Sequence, residues 1–115
     1  MAKPLQYHIL AEARLLIDDA EDWCSGRFAL GKTGRTLSSG SPRGVKHCAV
    51  SAIVLAARRS VRKKQDADRL ADSIMLMIAP LGSDARIAEK YIWSINDRYG
   101  HAAVMELFDT ALAMY

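Results

Sequence analysis

Val45, Cys48, Ala49, Ala52, Ile53 and Ala56 recur at i, i+3, i+4, i+7, i+8 and i+11 within PRGVKHCAVSAIVLAARR, from Pro42 to Arg59. That spacing is the stripe an α-helix turns toward a core. Val50, Val54, Leu55 and Ala57 fill most of the remaining circumference. A helix apolar nearly all round has to be covered on several sides, so this stretch predicts a central buried helix with the other segments packed around it. Ser41 followed by Pro42 predicts its start, because the hydroxyl accepts from an orphan N–H and proline lacks only a donor that the first turn does not use. Arg58, Arg59, Arg62, Lys63 and Lys64 predict its end, where positive charge suits the negative pole of the macrodipole.

The chain has 115 residues, half of them hydrophobic and a quarter charged, which is the composition of one globular domain, residues 1–115, with a single core. A formal charge of +3 is only mildly basic and does not mark a dedicated nucleic-acid binder. The longest uncharged apolar run, Cys48 to Ala57, is about half of the roughly 20 residues a membrane-spanning helix requires, so no membrane association is expected. His8, Glu12 and Arg14 interrupt the N-terminal apolar residues, which argues against a secretory signal and for a cytoplasmic protein. Two cysteines are too few for a disulfide framework, and reduced thiols are expected in that compartment.

The remaining periodicity predicts four more helices. The first spans about Pro4 to Glu21, with Leu5, Ile9, Ala13, Leu16, Ile17 and Ala20 on one face and a solvated acidic end at Asp18, Asp19, Glu21 and Asp22. Trp23 to Gly40 carries four of the seven glycines and no helical period; Phe28-Ala29-Leu30 and Arg35-Thr36-Leu37 predict a short β-hairpin there. Gly31-Lys32-Thr33 resembles the end of a phosphate-binding loop, but it follows no buried strand and opens no helix. A third helix starts at Asp66 or Asp68 and closes at Pro80; a fourth opens at Ser83-Asp84 and breaks at Asn96 to Gly100; a fifth runs from His101 to Ala113. The expected fold is all-α: a compact bundle of about five helices around a central buried helix, with one irregular Gly-rich loop or short β-hairpin between the first two.

Trp23-Cys24 ahead of a glycine-bearing loop, Cys48-Ala49 with Ala52, and Trp93-Ser94-Ile95-Asn96-Asp97 before Val104, Leu107-Phe108-Asp109 and Ala111 occur in a distinctive order. In these the chain resembles a family of small, uncharacterised bacterial and phage proteins. It departs from that pattern in carrying His47 and Ser51 where similar proteins have tryptophan and glycine. The resemblance implies a compact domain and no established activity.

Trp23, Cys24, Cys48, Trp93, Asn96 and Asp97 therefore make the candidate functional cluster, with Asp97 also placed to cap the last helix. Cys24, His47, Cys48 and His101 lack the paired spacing of a zinc site, and neither cysteine has a base fixed beside it by spacing, so no metal, cofactor or catalytic set is expected. Arg58, Arg59, Arg62, Lys63 and Lys64 are candidate basic contacts. The leading expectation is a non-enzymatic protein-interaction or regulatory module that binds another protein or its own copy through the apolar end at Leu112, Met114 and Tyr115. The alternatives are a nucleic-acid-associated protein using residues 58–64, or a small-molecule binder or enzyme near Trp93 to Asp97.

Overall fold

Proline at position 4 sets an extended residue ahead of the first helix, and α1 (Leu5–Leu16) follows, burying Ile9, Leu10 and Ala13. The computed structural model describes residues 2–115. α1 ends earlier than Glu21, because the acids that follow oppose the macrodipole and favour turns. Arg14 holds Asp18 at 2.8 Å, and Asp19 accepts from the Glu21 N–H at 2.9 Å at the start of a single 3-10 turn, Ala20–Asp22.

The hairpin forms where the sequence places it. β1 (Ala29–Leu30) pairs antiparallel with β2 (Thr36–Leu37), in register Ala29 to Leu37 and Leu30 to Thr36, and Gly34 supplies a positive φ in the turn. A third strand, β3 (Lys46–His47), pairs with the other edge of β1 and completes a sheet of order β2-β1-β3. The fold is therefore mostly helical with a small antiparallel sheet, and not purely all-α.

β3 also corrects the start of the central helix. α2 runs from Ala49 to Ser60, and Ser41-Pro42 does not cap it. Residues 45 to 48 are extended because their amides find partners in the loop and sheet: Val45 N–H donates to Leu30 C=O and Cys48 N–H to Phe28 C=O, both at 2.8 Å. Val45 stands 45% exposed and leaves the core stripe. The cap is Cys48, whose sulfur accepts from the Ser51 N–H at 3.4 Å. Beyond it Ala49, Val50, Ala52, Ile53, Leu55, Ala56 and Ala57 are buried, as a helix covered on several sides requires.

α3 (Lys64–Ile78) and α4 (Ala85–Tyr99) pack on α2 from the other side, and α5 (His101–Leu112) closes onto α1 and α4. Asp84 caps α4 by accepting from Ile87 N–H at 2.8 Å. α4 continues past Asn96 and stops at Gly100, whose φ of 89° suits glycine, so the break expected from Asn96 onward falls four residues later. Arg14 joins α1 to α5 through Asp109 at 2.6 Å. Buried residues from all five helices form one continuous cluster, to which α2 contributes mostly small side chains. Among the described residues, no helix is long and apolar enough to cross a membrane.

Candidate functional site

Asn96 is fully buried in the last turns of α4, and its side-chain amide meets three segments. Its Oδ1 accepts from Trp23 Nε1 at 2.7 Å and from the Ala49 N–H, in the first turn of α2, at 2.9 Å. Its Nδ2 donates to the Cys24 carbonyl at 3.1 Å and to Asp97 Oδ1 at 3.0 Å. Both acceptor sites and both donors are thereby satisfied, which is what a buried amide needs. Asp97 Oδ1 also accepts from the Gly26 N–H at 2.9 Å, so this acid ties down the glycine loop and does not cap α5. Trp23 lies edge-on to His101, 5.7 Å between ring centres, and His101 Nε2 bonds the Ile17 carbonyl at 2.6 Å.

The two cysteines enter the same assembly. Cys24 N–H donates to His47 C=O at 3.1 Å and Trp23 bridges His47, which sets Trp23-Cys24 alongside His47-Cys48. Both thiols are free and buried. Burial pushes the Cys48 thiol up to about 12 and raises Cys24 as well, so neither is a ready thiolate nucleophile. His47 is also buried: Gly40 N–H donates to Ser51 Oγ at 2.8 Å, Ser51 Oγ–H to His47 Nδ1 at 2.8 Å, and His47 Nε2–H to Gly44 C=O at 3.2 Å. That order of donors satisfies every group with a neutral imidazole, and desolvation lowers the histidine's pKa. A Cβ on Gly44 would lie 2.5 Å from the His47 ring, so only glycine admits the ring there. This network was missed at the sequence level, although His47 and Ser51 stand four apart.

Five of the six cluster residues are thus brought together as a structural joint. Trp93 is not part of it. It faces outward, 39% exposed, over a groove of about 530 Å³ that Phe28, Asp84, Arg86, Ile87, Glu89 and Lys90 also line. Ile87, read as a core residue, is 54% exposed in that groove. The available signal was the spacing Arg86, Lys90, Trp93, Asp97, which places polar and aromatic residues on one ridge of α4.

A model of a family of unknown function (DUF6197) matches residues 1–114. The chain belongs to that family. No curated protein and no solved structure matches it. In this DUF6197 chain Trp23-Cys24, Cys48-Ala49 and Asn96-Asp97 meet in the hydrogen-bonded joint, whereas Trp93 of the same motif lies outside it.

Three of the five basic residues are engaged by internal contacts. Arg58 donates to the carbonyls of Ser39 and Gly40 and faces Asp68 at 3.8 Å; Arg59 pairs with Glu12 at 3.6 Å and Lys64 with Asp68 at 3.3 Å. Arg62 and Lys63 are exposed, and among the described residues they form no ion pair. The segment Gly26-Arg27-Phe28-Ala29-Leu30-Gly31-Lys32-Thr33 has the spelling of a phosphate-binding loop, but Gly31 to Arg35 is the hairpin turn, with Gly31 N–H bonded to Arg35 C=O at 2.8 Å. No helix follows, so there is no helix N-terminus to meet a phosphate. Among the described residues no three His, Cys, Asp or Glu side chains group as metal ligands.

Proposed function

We propose that this protein is a non-enzymatic interaction module whose docking surface is the outer face of α4 with Phe28, and whose partner is a protein. The observation that carries this reading is the exposed pair Trp93 and Ile87 over a groove, in a chain whose other tryptophan is hydrogen-bonded inside. Aromatic side chains in a partly enclosed apolar site, rimmed by charge, are the anchors on which protein association most depends. Asp84, Arg86, Glu89 and Lys90 supply such a rim. The joint around Asn96 fits as the support that fixes the C-terminal half of α4 against the loop and α2. Nucleic-acid association is less favoured, because Arg58, Arg59 and Lys64 already face carboxylates. A reducing compartment suits the two buried free thiols, and the cytoplasm is part of the proposal.

Selection of a random peptide library on the folded protein tests the reading. Selected peptides should carry apolar or aromatic anchors, and their binding should shift the NMR signals of Phe28, Ile87 and Trp93. Trp93→Ala should abolish binding and leave the fold intact. Absence of selected peptides, or binding that maps to another face, would refute it.

A further inference from the structure

One ridge of α4 is made of the exposed Arg86, Lys90 and Trp93 and the half-buried Asp97, at i, i+4, i+7 and i+11, which is the spacing of a helix–helix seam. Its charge is ordered: two cations in the N-terminal half, an aromatic ring and an acid in the C-terminal half. Among the described residues, Arg86 and Lys90 form no ion pair and donate no side-chain hydrogen bond. Among the described residues, both hydrogen bonds to Asp97 fall on Oδ1 and none on Oδ2.

A ridge ordered in this way is complementary to its own reverse. We infer that the occupant of the groove is a second copy of this chain, docked through α4 about a two-fold axis with the two helices antiparallel. With the axis midway along the ridge, Arg86 faces Asp97 of the second copy and Lys90 lies over Trp93 of the second copy. Each contact occurs twice, as an isologous interface requires. The first is a charge pair and the second a cation on an aromatic face. A parallel pairing would set Arg86 against Arg86 and Lys90 against Lys90, so the charge order itself selects the antiparallel arrangement. Ile87 flanks the seam and loses its exposure there. One helix pair with its flanks is a small interface, which gives a reversible dimer and not a permanent one.

This inference rests on the docking face proposed above, and the experiment separates the two. Sedimentation equilibrium of the whole protein from micromolar to millimolar concentration should show a monomer–dimer equilibrium. Lys90→Glu and Arg86→Glu should each weaken it by about tenfold or more while circular dichroism is unchanged, since both side chains are exposed and unpaired in the monomer. For the register, Lys90→Cys mixed with Trp93→Cys at millimolar concentration keeps one Lys90–Trp93 contact and both Arg86–Asp97 pairs, and should give a disulfide-linked dimer on mild oxidation, with the native thiols buried and inert. Neither variant alone should cross-link. A monomer throughout, a dimer indifferent to both charge reversals, or self-linking of Lys90→Cys would overturn the inference. If the protein is monomeric and selected peptides still shift Ile87 and Trp93, the docking face stands and its partner is another protein.

Discussion

Asn96 holds four hydrogen bonds with one short side chain, and a group in that position cannot be removed at the usual cost of one contact. Asn96→Ala strands the Trp23 indole N–H, the Ala49 N–H and the Cys24 carbonyl in a buried site, each worth about 1–3 kcal/mol when left unmade. The variant should lose more than about 3 kcal/mol of stability, measured by urea unfolding, and a loss under 1 kcal/mol, within the ~1 kcal/mol of an ordinary hydrogen bond, would contradict the joint. The identity of these residues was legible in the sequence, because Trp23, Cys48, Asn96 and Asp97 stand out as motifs. Their purpose was not. Local rules read Asn96-Asp97 as a helix end, since both residues compete with the backbone for hydrogen bonds in turns. Here their side chains face partners more than forty residues away, and α4 runs on to Tyr99.

At the scale of elements, the entry to α2 was the hardest part to read. Val45 and Cys48 happen to continue the helical spacing upstream of Ala49, and a two-residue strand is too short to show a period of its own. The hairpin and the other helices carry either a turn glycine or a long amphipathic run, and these were legible to within a few residues at most ends. β3 leads into α2 through His47, and this makes the element sensitive to pH. The folded protein lowers the pKa of His47, chiefly by desolvation, so below the ordinary imidazole value of about 6.5 the unfolded chain binds more protons than the folded one. Stability is thus fully present above that value and falls as the pH drops toward the lower folded one. The urea midpoint should hold steady above about pH 7 and decline below about pH 6.5, with a shallower decline in His47→Gln. An equal slope in that variant would move the cause elsewhere.

Across the whole molecule, the ends of the described chain are drawn together. Tyr115 packs edge-on to Tyr7 at 5.5 Å, its hydroxyl donates to Met77 Sδ at 2.6 Å, and Lys3 Nζ donates to its carbonyl at 2.6 Å. The sequence offered Leu112, Met114 and Tyr115 to a partner; of these Met114 alone is exposed, at 69%. Deleting Met114 and Tyr115 should therefore lower stability by about 1–3 kcal/mol, from lost aromatic burial and hydrogen bonds, and leave self-association unchanged. Weakened association with unchanged stability would return the contact to this end. Periodicity could not show this, because the three contacts join Lys3, α1 and α3 to the last residue through side chains that fit no repeating pattern.

The joint at Asn96 also bears on how fast the protein reaches its native state. Its bonds link residues 47, 72 and 73 positions apart, so they cannot close until α2, α4 and the Trp23 loop have already met. Contacts of such long sequence separation carry their loop-closure entropy before they return any stabilisation. The joint is therefore expected to form after the rate-limiting step and to act as a latch on the exit: in a chevron plot the loss in Asn96→Ala should fall on the unfolding arm, leaving the folding rate near that of the parent and shortening the lifetime of the folded state, and a loss on the folding arm would place the joint in the folding nucleus.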